Sequence, residues 1–264
     1  MPQETMRSDI EKLREATLRN NIVWLKSFGC TVIVNGGFIR VSQSQMPDFT
    51  AWIITDSKPD TARALARSLS AATSADGLSI YVDDLVDIAE LPGLGTARLL
   101  PDVSWIHTVT VRHHERQPSC PVAAREVGPE KLSLWADLYG EGFDRNSEQR
   151  KLDALRWARS VANPHLKHWL FVEDGRDIGV AQTCHAFGVT GVYSFTLRPQ
   201  YTRSNLARFA MRAIADNILG NDRMATLYFE RVSLADSCSR RRQFHSTRII
   251  RSYIHYELNP SRPE

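Results

Sequence analysis

Between residues 168 and 197 three apolar runs are tied together by two tight turns, and this restricts the fold more than any other feature of the chain. HWLFVEDG (168–175) turns at Glu173-Asp174-Gly175 into RDIGVAQTCHAFG (176–188), which turns at Gly188 into VTGVYSFTL (189–197). Connections this short make hairpins, so the three runs pair as neighbouring strands. A loop broken by Pro199 then leads to an amphipathic helix over roughly 203–219, a strand ATLYFERV (225–232), a helix near 234–244 and a last strand RSYIHYEL (251–258). Upstream stand VAAREV (122–127) and two helices, 129–141 and about 148–162, the second with Leu152, Leu155 and Trp157 on its apolar side. The order β-α-α-β-β-β-α-β-α-β predicts an α+β / α/β fold, with a mixed, mainly antiparallel central sheet and helices on both faces.

The first half of the chain opens with an amphipathic helix over 7–28, on which Ile10, Leu13, Leu18, Ile22 and Leu25 recur at helical spacing. Strands at 31–34, 37–41 and 51–54 follow, the first two joined at Asn35-Gly36-Gly37. A helix begins near Pro59, with Asp56 or Ser57 as its cap, and is followed by a strand at 78–82. DDLVDIAEL reads as a short helix capped by Asp83-Asp84, and WIHTVTV (105–111) as a closing strand. The order β-β-β-α-β-α-β thus occurs twice. It suggests two tandem related domains, 1–117 and 118–264, meeting in the aperiodic stretch HHERQPSCP (113–121).

A length of 264 residues accommodates both domains, and 42% hydrophobic with 24% charged residues is the balance of a soluble globular chain. No apolar run approaches the ~20 residues of a membrane span. The polar start MPQETMRSDIEKLREA is unlike a signal peptide, so the expected location is cytoplasmic, with no membrane partner. Cys30, Cys120, Cys184 and Cys238 lie far apart without a CxxC pair, which favours reduced thiols. His113-His114 lacks zinc-site spacing, so no metal is expected. The net charge is only +3, but the stretch 198–251 holds eleven arginines against four acids, a local excess of +7. Arginine forks suit phosphate, which points to a phosphorylated cofactor or a nucleic acid.

The most informative segment is YSFTLRPQYTRSNLARFAMRAIADNIL (193–219): strand, proline, basic loop, helix. A helix start with nearby arginines offers unsatisfied N–H groups and a favourable dipole to an anion. Leu197-Arg198-Pro199-Gln200-Tyr201, followed by Thr202-Arg203-Ser204-Asn205-Leu206-Ala207, resembles the GNAT acetyltransferase superfamily. There Val/Leu-x-Pro-x-Tyr-Arg ends a strand, and Gln/Arg-x-x-Gly-x-Gly/Ala opens a helix. The resemblance covers residues 120–258 in element order, and LYFERVSLADSCSRRRQF is similar to the family's next strand and helix. It implies the GNAT fold and acetyl-CoA or another acyl-CoA as co-substrate, with the pantetheine along strand 193–197 and an oxyanion donor on the backbone near Leu197. Phosphate contacts would come from Arg203, Ser204, Asn205, Leu206, Ala207 and Arg208, and Arg240 to Arg242 would meet the 3′-phosphate or the solvent. Thr202 and Asn205 depart from the pattern, Ser239 stands at the usual tyrosine acid, and Gln243 replaces the glycine before Phe244. The first half has no such loop and reads as a degenerate copy that binds no CoA.

Acyl transfer to an amine needs a base for the amine and a proton for the leaving thiolate. Glu230 could take the amine proton or pair with Arg231 or Arg198. Tyr193 or its neighbour Ser194 could orient substrate, since only one of two successive strand residues faces the cleft, and Tyr193 could equally be core. Ser239 or Cys238 could replace the missing acid. His185 reads as a satisfied strand histidine ahead of a base, and Trp135, Trp157 and Trp169 as core. Three functions are open to such a chain: transfer from acyl-CoA to a small-molecule amine; transfer from aminoacyl-tRNA or a carrier-protein thioester; or a non-catalytic binding role. The decayed loop and the arginines both favour the second of these, with tRNA a partner through the arginine-rich stretch, and no motif sets the oligomeric state.

Overall fold

The computed structural model describes the whole chain except residues 1, 44–45, 72–77, 84, 88–90, 92–97, 100–104, 112–119, 203–205, 220–225, 230–245 and 259–264. Two compact units result, one of Met1–Phe28 with Thr108–Ile250, the other of Gly29–His107 with Arg251–Glu264. A single cut at residue 117 therefore describes neither unit, because each takes a terminal piece of the chain from the far side of the cut. Strand pairing binds by register and edge complementarity, which sequence distance does not limit.

The larger unit begins with α1 (Pro2–Ser27) and continues through β6 (Trp105–Val111, from Thr108 on), β7 (Val122–Val127), α3 (Leu132–Gly142), α4 (Ser147–Ser160), β8 (Leu166–Glu173), β9 (Arg176–Ala186), β10 (Val189–Leu197), α5 (Leu206–Leu219) and β11 (Thr226–Phe229). β7, β8, β9 and β10 are antiparallel neighbours in that order, and β10 pairs β11 in parallel through the α5 crossover. β11 then pairs antiparallel with β6. Both hairpin turns carry two successive residues at positive φ: Asp174 (46°) with Gly175 (75°), and Phe187 (56°) with Gly188 (73°). That is the turn whose twist matches paired strands, so the glycines act here as the sequence suggested.

Partners across a strand pair share a face, and the two faces of this sheet bury different helices. Under α5, Val122, Trp169, Phe171, Ala181, Val192 and Leu197 meet Ala210, Met211, Ile214 and Ala215. On the other face Leu166, Cys184, Val189 and Tyr193 meet Leu13, Ala16, Val23 and Trp24 of α1. Trp135, Trp157 and Trp169 are buried at 0, 3 and 4% exposure, in line with a core role, and each such ring contributes roughly 2–3 kcal/mol by burial. Leu155, expected on the apolar side of α4, is instead 56% exposed. The buried side of α4 passes through Asp153, Trp157 and Ser160, a polar-aromatic stripe that hydrophobicity alone misses.

The smaller unit holds β1 (Thr31–Asn35), β2 (Phe38–Gln43), β3 (Met46–Ile54), α2 (Pro59–Ser70), β4 (Leu78–Asp83), β5 (Arg98–Leu99) and β12 (Ser246–Leu258, from Arg251 on). β1, β2 and β3 are antiparallel, β3 and β4 parallel through α2, and β4 pairs antiparallel with β12, which also pairs with β5. This is the pairing pattern of the larger unit. The start of α2 differs from expectation: its cap is Lys58 without a side-chain bond, and Asp56, two residues earlier, accepts from the Lys58 N–H at 3.2 Å. At 83–87 the described residues form a turn, in which Asp83 accepts from the N–H of Leu85 at 3.1 Å; residues 84 and 88–90 lie outside the description. Trp52 and Tyr81 are buried, at 0 and 9% exposure. Among the described residues no helix is long and apolar enough to cross a membrane.

Candidate functional site

The strand–proline–helix segment builds the candidate site. β10 runs in register with β9 as far as Tyr193↔Gln182, then resumes at Thr196↔Val180, so Ser194 and Phe195 together oppose Ala181. Ser194 sits at φ 51°, a conformation that non-glycine residues adopt at a cost. Such a bulge re-aims the side chains after it. Tyr193 and Thr196 consequently share one face, while Phe195 and Leu197 pack under α5. The register with β11 ends at Val192↔Phe229, and Ser194 to Leu197 have no β11 pairing among the described residues. Past Leu197 the chain makes a short turn over Pro199–Tyr201, and α5 is described from Leu206 on.

Two glycines make the bulge possible. A Cβ on Gly179 would lie 2.4 Å from the backbone oxygen of Thr196, and one on Gly142 would lie 2.3 Å from Thr196 Oγ1. Arg198 is tied down beside them. It donates to both carboxylate oxygens of Glu141 (2.8 and 3.3 Å) and to the Asp177 carbonyl at 3.3 Å. The hydrogen bonds to Glu141 hold the guanidinium still more firmly protonated than usual. Among the described residues the partner of Arg198 is thus Glu141, 57 residues away; Glu230, the pairing the sequence offered, lies outside the description.

The residues singled out from sequence separate into three groups. Leu197, 3% exposed, gives its side chain to the core and can offer a ligand only its backbone. Leu206 and Ala207 are half-buried against the same core, and the half-buried Arg208 lies over the Phe209 ring at 4.8 Å, its Nε without a hydrogen-bond partner among the described residues. These three stand at the α5 start, as expected. Tyr193 does not reach a cleft. It is 2% exposed, stacks on Trp24 with centroids 4.3 Å apart, and donates its hydroxyl to Asn20 Oδ1 at 3.0 Å. The substrate-orienting reading of Tyr193 is corrected to a core role, because the regular part of β10 puts it on the face it shares with Val189, which packs on α1. Arg203, Ser204, Asn205, Glu230, Cys238, Ser239 and Arg240 to Arg242 lie outside the described residues.

His185 is exposed and bonded to Thr190 Oγ1 at 2.8 Å, a satisfied strand histidine. The sequence reading missed a buried chain behind β10. The Trp24 indole, which can only donate, bonds Gln182 Oε1 at 2.7 Å. The Gln182 amide nitrogen must then donate to His168 Nε2, 3.0 Å away, which leaves that ring neutral with its proton on Nδ1. Burial pushes His168 down to about 4. Ser160 Oγ lies 3.0 Å from the same nitrogen. Cys184, pushed up to about 12 by burial, stays a thiol. Among the described residues no disulfide links Cys120 or Cys184, and no cluster of acids, histidines and cysteines could hold a metal.

No protein-family model matches the chain, and no curated protein matches it. Solved structures do. A GCN5-related N-acetyltransferase from Kribbella flavida is 14% identical, with 90% of this chain and 93% of that one covered at a TM-score of 0.61. A conserved protein of unknown function from Staphylococcus epidermidis is 10% identical over 87% and 94% of the two chains, at 0.59. A GCN5-related N-acetyltransferase from Sphaerobacter thermophilus is 13% identical over 86% and 79%, at 0.52. With a bulged strand feeding a crossover helix at the centre of a mixed sheet, and these likenesses over most of its length, the chain has the GNAT N-acetyltransferase fold.

Proposed function

We propose that the protein transfers an acetyl or larger acyl group from a CoA thioester to the amine of a small molecule. The observation that carries this reading is the bulge at Ser194 immediately before the start of α5. It puts backbone groups of residues 194–197 and the first-turn amides of α5 on one short segment, suited to a thioester arm at one end and a pyrophosphate at the other. The residues present fit CoA: Leu206, Ala207 and Arg208 stand at the helix start, and Arg208 carries an Nε without a partner among the described residues. In the transfer the amine nitrogen bonds the acyl carbon as the C–S bond breaks, and the proton the amine gives up ends on the thiolate. Glu230 as base and Ser239 as proton donor remain our assignments for those two steps. The matching strand pattern of the two units supports a tandem of related domains in which only the larger unit takes CoA.

The test is thermal stability of the purified protein with acetyl-CoA, with other acyl-CoAs, and with bulk tRNA at two salt concentrations. A ligand that binds the native state alone must raise the melting temperature. A rise with CoA esters supports the proposal. A response to tRNA alone, weakened by salt, overturns the CoA assignment in favour of the arginine-rich stretch as a nucleic-acid contact.

A further inference from the structure

We propose that the first helix of the chain sets the position of the acyl-donor strand, with Asn20 and Trp24 as positioning residues that fix where β10 leaves its register. The inference rests on the acyl-CoA reading for its functional meaning, and on α1, β9 and β10 alone for its geometry.

A bulge with serine at φ 51° does not hold itself in place. Sliding β10 by one residue would relieve it and would turn Tyr193 to the α5 face. The structure blocks that slide at two points. At the hairpin end, the Asn20 amide nitrogen donates to the carbonyls of Cys184 (2.9 Å), Val189 (3.0 Å) and Ala186 (3.2 Å), bracketing the β9–β10 turn. At the last pair before the bulge, both partners are held from α1. Tyr193 is stacked on Trp24 with its hydroxyl on Asn20 Oδ1, and Gln182 opposite accepts from the Trp24 indole. The regular part of the hairpin is thus pinned at both ends by two residues one helical turn apart, and the extra residue must fall at Ser194. Asn20 and Gln182 are 0% exposed, so water cannot take over their bonds. Acting through Tyr193, α1 aims the backbone of residues 194–197, which is where the thioester arm is proposed to lie.

The test uses the full chain and three variants: Tyr193→Phe, which removes only the hydroxyl; Trp24→Phe, which removes the indole donor; and Asn146→Ala, a control that breaks the α4 cap and no bond to α1 or β10. Each is measured for melting temperature, for acetyl-CoA dissociation constant by calorimetry, and for amide hydrogen exchange by peptide. The two α1-contact variants are expected to weaken acetyl-CoA binding about tenfold and to speed exchange in 194–198, with α5 unchanged. The control is expected to lose melting temperature without either effect. Variants that merely melt earlier, with the dissociation constant and the 194–198 exchange unmoved, would overturn the proposal. If wild type binds no CoA ester, the functional reading falls by itself. Exchange then decides the geometry: acceleration confined to 194–198 upholds the positioning role, and uniform acceleration overturns it.

Discussion

His168 shows how a single side chain can be read in both directions. Burial holds it down to about 4, against an ordinary 6.5, so between those values the unfolded chain takes up a proton that the folded one refuses. Stability contributed by the neutral ring is therefore complete above about pH 6.5 and falls as the pH drops toward 4. Urea unfolding at pH 7 and pH 5 should show wild type losing roughly 1–2 kcal/mol more than His168→Gln, whose side chain does not titrate. Equal losses would show that another group carries the acid sensitivity. At Gly179 the decisive quantity is space: a Cβ there meets a backbone oxygen, which cannot swing away as a side chain could. Gly179→Ala should cost about 1–3 kcal/mol and disturb the bulge opposite, seen as a lower melting temperature and weaker acyl-CoA binding.

Among the elements, α4 offers the cleanest local test. Asn146 accepts from the Gln149 N–H at 2.9 Å while Gln149 Oε1 accepts from the Asn146 N–H at 3.1 Å, a reciprocal cap. Asn146→Ala should cost about 1 kcal/mol, a fall of about 2–4 °C in melting temperature. Elements of this kind were legible because their signals are local. The hairpins at 173–175 and 187–188 followed from turn residues, and β7 and β10 matched their expected spans residue for residue. The site was less legible, for two physical reasons. Strict alternation along 189–197 hides a bulge, so the side chains beyond Tyr193 change faces without any mark in the hydrophobic pattern. Asn20 and Trp24 find partners more than 150 residues away, and a polar residue on an amphipathic helix carries no sign of such a partner. A retrospective signal exists: Thr17, Asn20, Trp24 and Phe28 recur at spacings of three and four, a second stripe beside the leucines.

For the whole molecule, the pairing of residues 253–258 with β4 makes a distinct prediction. A chain ending at Ile250 would leave the β4 edge without its antiparallel neighbour, and an exposed apolar edge is a site of opening and aggregation. Limited proteolysis should then cut preferentially within 29–107, whereas the intact chain resists there. Retained resistance would show that β4 does not depend on the last strand. The same exchange of end pieces has a consequence during synthesis. A ribosome delivers α1 long before the strands it covers at 166–197. It delivers β1 to β4 early, yet their sheet is completed only by residues 253–258. Each unit therefore waits for segments made long after its first elements, and the nascent chain carries unsealed apolar surface through that interval.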